Sequence, residues 1–185
     1  MSLKELTMDQ HRNAERQKFA SILMSGSIPE TSYLRFLINQ FHCYHALENH
    51  HYFSLFDNDL KRCSNILADI QQLKLKLDWK IDDNIVLTKS TLEYVEHVNN
   101  HIKSKDDFIA HIYVRYLGDM RGGQIISKKI PGNGKYYDFN NPQKLASSIY
   151  QLLNDEMADE AKKVFNFATL LFQEMHEIML LNNEL

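Results

Sequence analysis

The sequence is short of the residues that make turns. Its 185 residues include only six glycines and three prolines, whereas ordinary usage of ~7% glycine and ~5% proline would give roughly 13 and 9. A chain with so few turn-forming residues cannot readily build many hairpins or a repeated alternation of strands and helices. The composition therefore favours helices, and the positions of the few glycines become informative.

Cysteine, long apolar runs and excess positive charge are scarce as well. Cys43 and Cys63 alone form neither a disulfide framework nor a metal quartet, which is typical of a reducing cytoplasm. No apolar run approaches the ~20 residues of a membrane span, and the charged N-terminus lacks the apolar block of a signal peptide. The formal net charge of −3 argues against nucleic-acid binding. We therefore expect a soluble, cytoplasmic protein without a membrane or nucleic-acid partner.

Apolar residues recur at helical spacing along nearly the whole chain. They step by three and four through 161–178 and again through 33–51. The pattern predicts further helices over 60–77, 91–102 and 108–127, and breaks at 26–29, 57–59, 82–84, 104–107 and 131–142. Because no internal repeat or long linker interrupts the chain, we predict one all-α domain over residues 1–185, with roughly seven or eight helices.

The predicted helix 108–127 contains half of the glycines, at Gly118, Gly122 and Gly123. Each glycine inside a helix costs ~1 kcal/mol relative to alanine, and two adjacent glycines favour a kink. The missing Cβ lets the backbone approach a flat ligand or another chain segment closely. The residues alone leave three explanations open, namely a ligand surface, a tight helix crossing and a helix end.

His11 is the second unusual feature. Lys4, Met8, His11 and Glu15 are spaced by four, three and four residues, which places them on one face of a first helix. An imidazole at this position can bind a metal or a haem iron, and Lys4 can meet an anionic group. A single helical histidine is, however, usually a surface residue or a satisfied core residue, so the spacing by itself does not identify a metal or haem site.

Four segments together resemble the haem oxygenase family, in the order in which the family carries them. They are the run AHIYVRYLGDMRGGQ at 110–124, the set Thr7, His11, Ala14 and Glu15, the run YHALE at 44–48, and the stretch from Glu160 through Phe165 to Phe172. We expect no C-terminal membrane anchor of the kind found in some animal members. The sequence is therefore most similar to the soluble bacterial, algal or plant-type enzymes.

The resemblance implies an all-α fold in which haem b is both cofactor and substrate, held between a proximal helix and a kinked, glycine-rich distal helix. It assigns His11 as the axial ligand of the haem iron, with Glu15 accepting the other ring N–H. The implied haem contacts are Lys4, His11, Glu15, Tyr113, Gly118, Gly122, Gly123 and Phe165.

The resemblance also assigns Asp119 as the catalytic carboxylate, which holds ordered water and relays a proton during oxygen activation. Tyr44, Arg115 and Tyr116 are the candidates to anchor that water network. For Arg115, an ion pair with Glu48 or Asp119 is an equally good interpretation. The implied reaction consumes O2 and converts haem to biliverdin, carbon monoxide and ferrous iron.

Some expected contacts to the two haem propionates are missing. Met8 replaces a second lysine of the N-terminal pattern, and Ala146 and Tyr150 stand where many members carry a lysine and an arginine. Propionate contacts orient the macrocycle, so these changes bear on which isomer of biliverdin forms, although the α isomer is expected. Lys144, Arg12 or the Tyr150 hydroxyl are candidates to compensate.

Electrons have to come from another protein, since the sequence has no phosphate-binding glycine motif and no cysteine cluster. The resemblance implies reduced ferredoxin as the donor and a bilin reductase as a downstream partner. Ferredoxins are commonly acidic, so a basic face would help docking. The candidate basic residues are Lys4, Arg12, Arg16, Lys18, Lys128, Lys129 and Lys135.

Three other functions each agree with part of the sequence. Glu48 and His51 form one Glu-x-x-His pair, whereas a di-iron oxidase needs two such pairs and further glutamates. A non-catalytic haem carrier or sensor would share the binding residues. A helical scaffold protein would leave the glycine cluster and the spacing of Lys4 and His11 unexplained.

Overall fold

The computed structural model describes residues 1–80 and 87–185, and its helices follow the apolar spacing. The described residues form ten α-helices and no strand, which confirms the all-α prediction. The helices are α1 (Leu3–Leu6), α2 (Met8–Glu15), α3 (Lys18–Ser25), α4 (Glu30–Asn49), α5 (Cys63–Lys76), α6 (Lys89–Asn100), α7 (Lys105–Arg121), α8 (Gly123–Ile126), α9 (Pro142–Tyr150) and α10 (Ala158–Leu181). The predicted break at 82–84 lies outside the described residues.

Two helices that the sequence predicts as continuous are divided, which accounts for the higher helix number. Thr7 separates α1 from α2, and its hydroxyl donates to the Leu3 carbonyl at 2.9 Å. Gly122 separates α7 from α8. Lys4 and His11 therefore lie on two successive helices rather than on one.

Local capping chemistry sets the start of α7. The Ser104 hydroxyl accepts from the Asp107 backbone N–H, and the Asp107 carboxylate accepts from the Ser104 backbone N–H at 3.0 Å. Asp106 and Asp107 therefore belong to the first turn, where their charge complements the helix dipole. The predicted break at 104–107 is shorter than expected for this reason.

The long C-terminal helix α10 organises the rest of the fold. It packs against α2, α3, α6 and α7, and large aromatic side chains fill the space beside it. The fully buried phenols are Tyr33, Tyr44, Tyr94, Tyr116 and Tyr136. Within the described ranges, no helix is both long and apolar enough to cross a membrane.

A buried carboxylate ties three of these helices together. Glu160 of α10 accepts hydrogen bonds from His97 of α6, from His111 Nε2 of α7 at 3.0 Å and from Lys163 Nζ at 2.8 Å. Although burial opposes ionisation, these hydrogen bonds hold the pKa of Glu160 well below its usual value. Burial lowers the pKa of His111 to about 4, so its ring is neutral in the folded protein at neutral pH.

We expect Glu160→Gln to lower the free energy of unfolding at pH 7 by about 2 kcal/mol, because three donors lose an anionic acceptor. Urea unfolding measures this, with Glu177→Gln on the exposed side of α10 as the control. An equal effect of the two changes would contradict the role of Glu160.

In the wild type, stability should also fall as the pH drops from about 6.5 toward 4, because unfolded His111 takes up a proton that the folded ring excludes.

Candidate active site

A cavity of about 940 Å³ lies between α2 and α7. Both helices pack against α10, which closes the space between them. Apolar side chains form much of its surface, with Leu23, Phe36, Val164, Phe165 and Phe172 among them. The volume is at the upper end of the ~300–1,000 Å³ typical of pockets for organic ligands.

The structure brings the implied haem contacts to this cavity, together with Asp119, Tyr44 and Arg115, whereas Tyr116 is not among the described residues that line it. The lining includes Lys4, His11, Glu15, Tyr44, Tyr113, Arg115, Gly118, Asp119, Gly122, Gly123 and Phe165. These residues come from six helices, together with Gly122 between α7 and α8, and span most of the chain.

His11 presents its imidazole to the cavity in a partly exposed position. Its side chain is 45% exposed, and its ring packs edge-on against Phe165 with the centroids 5.3 Å apart. Nε2 lies 3.3 Å from Glu15 Oε1. The expected contact between the two residues is therefore present, and an imidazole that keeps it offers Nδ1 as its remaining nitrogen.

The three glycines of the distal segment have different surroundings. A Cβ added at Gly118 would meet nothing within 4 Å, whereas one at Gly123 would overlap the Tyr137 ring. Gly122 is intermediate, since its Cβ would lie 3.4 Å from the Gly118 carbonyl oxygen of the same helix. Gly118 thus leaves space in the cavity, while the absence of a side chain at Gly123 is explained by close packing against Tyr137.

Asp119 is the carboxyl group at the centre of the site. Tyr44 donates to its Oδ2, and the Tyr136 hydroxyl lies 3.2 Å from its Oδ1. Burial raises the pKa of Asp119 to about 7, and the two phenols and Arg115 oppose this rise. A carboxyl group that changes protonation near neutral pH can both accept and release a proton.

Tyr136 and Gln40 belong to this site but were missed in the sequence. Gln40 Nε2 donates to the Tyr136 hydroxyl at 3.1 Å, and Gln40 Oε1 accepts from Arg115 Nη1 at 3.2 Å. Tyr136 lies in the predicted loop 131–142, in a 3-10 turn at Lys135–Tyr137. No local pattern marks a loop tyrosine as a partner of a helical aspartate 17 residues earlier.

Two expectations about the water network need correction. Arg115 forms no ion pair with Glu48 or Asp119 within 4 Å in the described part of the chain, and its guanidinium instead packs over the Tyr94 ring at 4.0 Å. Tyr116 donates to Glu48 at 3.3 Å rather than to Asp119. Its hydroxyl is therefore not directed at Asp119.

The Glu48–His51 pair of the di-iron alternative does not form. Helix α4 ends at Asn49, so His51 lies beyond it. Glu48 accepts from the backbone N–H of Cys63 at 3.2 Å and thereby caps α5. Among the described residues, the one group of three close metal-ligating side chains is that of Glu160, with His97 and His111, and it includes neither partner of the pair.

Polar side chains also gather at the edge of the cavity. Lys4, Tyr113 and Tyr150 line it as expected, together with Met8. Ala146, Lys144 and Arg12 are not among the described residues that line it, and Lys144 lies 4.0 Å from Asp57 Oδ2. Arg121 was missed. It lines the cavity, with its guanidinium 5.0 Å from the centre of the Tyr150 ring, and its position three residues after Gly118 places it on the same helix face.

Comparisons with known proteins agree with this geometry. The family model described as "Heme oxygenase" matches residues 1–174. A curated heme oxygenase from Guillardia theta is 32% identical over 171 residues, which cover 88% of this chain and 70% of that protein. The solved structure of heme oxygenase from Leptospira interrogans has a TM-score of 0.77 at 27% identity and covers 94% of this chain and 100% of its own.

A further solved structure shares the fold at lower identity. Heme oxygenase-1 from the cyanobacterium Synechocystis, solved in complex with heme, has a TM-score of 0.77 at 21% identity. The similarity covers 98% of this chain and 96% of that one. With the family model matched along most of its length, this chain belongs to the haem oxygenase family.

Proposed function

We propose that this protein cleaves haem b to biliverdin, carbon monoxide and ferrous iron, with O2 as oxidant and electrons from another protein. The observation that carries the proposal is a half-buried carboxyl group with a raised pKa, Asp119, one residue from a glycine that leaves open space in a large cavity. His11 lines the same cavity. Family membership supports haem as the compound that is degraded.

The residues present fit haem. The open space at Gly118 is what a flat macrocycle needs to approach the helix backbone, and a side chain there would fill it. His11 offers a neutral imidazole nitrogen as axial ligand. Bound haem supplies the iron on which O2 is reduced and the ring that is oxidised.

Asp119 acts as the proton relay in this proposal. Its pKa of about 7 lets it give a proton and regain one at neutral pH. Tyr44 and Tyr136 keep the carboxyl group in one orientation through hydrogen bonds to its two oxygens. A proton delivered in this way passes through ordered water, as the family resemblance implies.

Side chains at the edge of the cavity hold the propionates, and some of them differ from the contacts that many family members use. Lys4 and Tyr113 take the roles expected of them, and Arg121 with Tyr150 supplies a cation and a hydroxyl. Arg121 therefore takes the place that the sequence left to Lys144 or Arg12. We propose the α isomer of biliverdin as the product of this orientation.

Reduced ferredoxin is the proposed electron donor, with a bilin reductase as a downstream partner in the cytoplasm. The candidate basic residues Lys4, Arg12, Arg16, Lys18, Lys128, Lys129 and Lys135 are all exposed. Helix α3 packs against α8, and Lys129 Nζ donates to the Met24 carbonyl at 2.9 Å. Lys129, which follows α8, thus adjoins the end of α3, and a basic face formed by the candidate residues would suit an acidic partner.

The test is to add haemin to the purified protein, follow the Soret band, and then supply reduced ferredoxin or ascorbate in air. A biliverdin absorption band supports the proposal, and chromatography identifies the isomer. Haem that stays intact for many minutes would instead support the non-catalytic carrier or sensor.

His11→Ala should remove the axial ligand, so the Soret band should shift and the affinity for haem should fall at least tenfold. A spectral titration with haemin measures both effects. His45→Ala, which removes an exposed histidine of α4 outside the cavity, is the matched control. A spectrum that His11→Ala leaves unchanged would assign the iron ligand to another residue.

A further inference from the structure

A buried hydrogen-bonded chain leads from Arg115 to Asp119, and its direction is determined by the chemistry of its members. A guanidinium group has donors and no acceptor. Gln40 must therefore turn its carbonyl oxygen toward Arg115 Nη1, 3.2 Å away, and its amide NH2 toward the Tyr136 hydroxyl, 3.1 Å away. The Tyr136 oxygen thus accepts from Gln40.

The hydrogen of the Tyr136 hydroxyl then has two acceptors within reach. The Tyr44 oxygen and Asp119 Oδ1 each lie 3.2 Å away. Tyr44 already donates its own hydrogen to Asp119 Oδ2. Because an ionised carboxylate is the stronger acceptor, Tyr136 donates to Asp119 Oδ1.

We propose that Tyr136 is a positioning residue, which together with Tyr44 holds both oxygens of Asp119 and stabilises the carboxylate form. Arg115 and Gln40 act through it by fixing the direction of its hydrogen bond. An amide donates and accepts without passing a proton on, so the chain orients Asp119 and does not conduct protons. This inference rests on the proposed function of Asp119 as proton relay.

The surroundings hold this arrangement in place. Tyr136 is fully buried, and Gln40 and Arg115 are each 9% exposed, so water competes little for the hydrogen bonds. The turn that carries Tyr136 is anchored through its backbone, since Asp69 accepts from the Tyr136 N–H at 2.8 Å and Arg62 donates to the Tyr136 carbonyl at 3.2 Å.

The groups that influence the charge of Asp119 come from several elements. Tyr44 faces Asp119 from α4, and Tyr136 faces it from the turn before α9. Arg115 lies on α7, the same helix as Asp119, and Arg62 directly precedes α5. Both arginines favour the carboxylate, and burial opposes it. Removing one phenol should therefore move the balance toward the protonated form.

Tyr136→Phe removes this one hydroxyl and retains the ring. We expect the pKa of Asp119 to rise by about 1, which corresponds to a roughly tenfold higher affinity of the carboxylate for the proton. Carbon-13 NMR titration of aspartate side chains in the protein without haem measures this, with the signal assigned by its loss in Asp119→Asn. In the presence of haem, the acid limb of the pH profile of biliverdin formation should move in the same direction.

Tyr33→Phe is the matched control, because the Tyr33 hydroxyl is buried, lies outside the cavity lining and has no hydrogen-bond partner among the described residues. It should leave the Asp119 titration unchanged. Gln40→Leu keeps the Tyr136 hydroxyl but removes the amide that fixes the direction of its hydrogen bond. It should therefore raise the pKa of Asp119 by less than Tyr136→Phe does. Gln40→Leu is also the test variant if Tyr136→Phe fails to fold.

The inference is overturned if folded Tyr136→Phe titrates like the wild type, or if Gln40→Leu does so where Tyr136→Phe does not fold. The proposed function fails separately. A protein that never converts haem, yet shows the shift in its haem-free titration, would refute the enzyme assignment and leave the hydrogen-bonded chain standing.

Discussion

Asp119→Asn is expected to lower the rate of biliverdin formation at least a hundredfold while haem still binds. Asparagine keeps the size of the side chain but neither takes up nor releases a proton, and positioned proton transfer commonly contributes about 10²–10⁴-fold to a rate. The rate is measured by chromatography of the product under single-turnover conditions, and haem affinity by Soret titration. Wild-type turnover in this variant would remove the proposed role of Asp119.

The same substitution should stabilise the protein in alkaline solution. Burial raises the pKa of Asp119 to about 7 from its usual value of 3.8, so the folded state holds a proton that the unfolded chain has released. The wild type therefore loses stability as the pH rises from about 4 through 7, and an asparagine does not titrate. Urea unfolding at pH 5 and pH 8 should show the advantage of the variant growing with pH.

Asp59→Asn provides the control for both measurements, because Asp59 is exposed and lies outside the cavity lining. It should change neither the rate nor the pH dependence of stability. Opposite effects of Asp119→Asn on turnover and on stability are expected if the proposed proton relay needs a charge that burial of the side chain disfavours.

Gly118→Leu is expected to weaken haem binding at least a hundredfold and to leave the fold intact. A Cβ at Gly118 meets nothing within 4 Å, so a leucine side chain extends into the open cavity without displacing a neighbour. Leucine also favours a helix interior over glycine by up to ~1 kcal/mol, so the free energy of unfolding should be equal or higher. Soret titration and urea unfolding of the same preparation measure the two effects.

Gly123→Ala is the matched comparison within the same segment. Its Cβ would overlap the buried Tyr137 ring, so we expect a loss of about 1–3 kcal/mol in unfolding free energy. If Gly118→Leu unfolded the protein and Gly123→Ala did not, the assignment of the cavity-facing glycine would be reversed.

The all-helical fold was predictable from the sequence because helical periodicity is a local property. Apolar residues three and four positions apart identify the buried face of each helix without knowledge of its partners. The family resemblance then identified His11, Gly118 and Asp119, and all of them line the same cavity. Predicted helix boundaries were less accurate, as at Thr7 and Gly122, since a one-residue interruption of a helix leaves the apolar pattern almost unchanged.

The partners of these residues depend on how helices far apart in the chain pack together. Gln40 and Tyr136 are 96 residues apart, and only the packing of α4 beside the turn before α9 brings their side chains within hydrogen-bond distance. The same holds for Glu48, whose carboxylate caps α5. It also holds for Gly123, where the Tyr137 ring occupies the space that a Cβ would need. Local spacing thus decides which residues form helices. Contacts between distant segments decide how Asp119 is held and which glycine leaves room for a ligand.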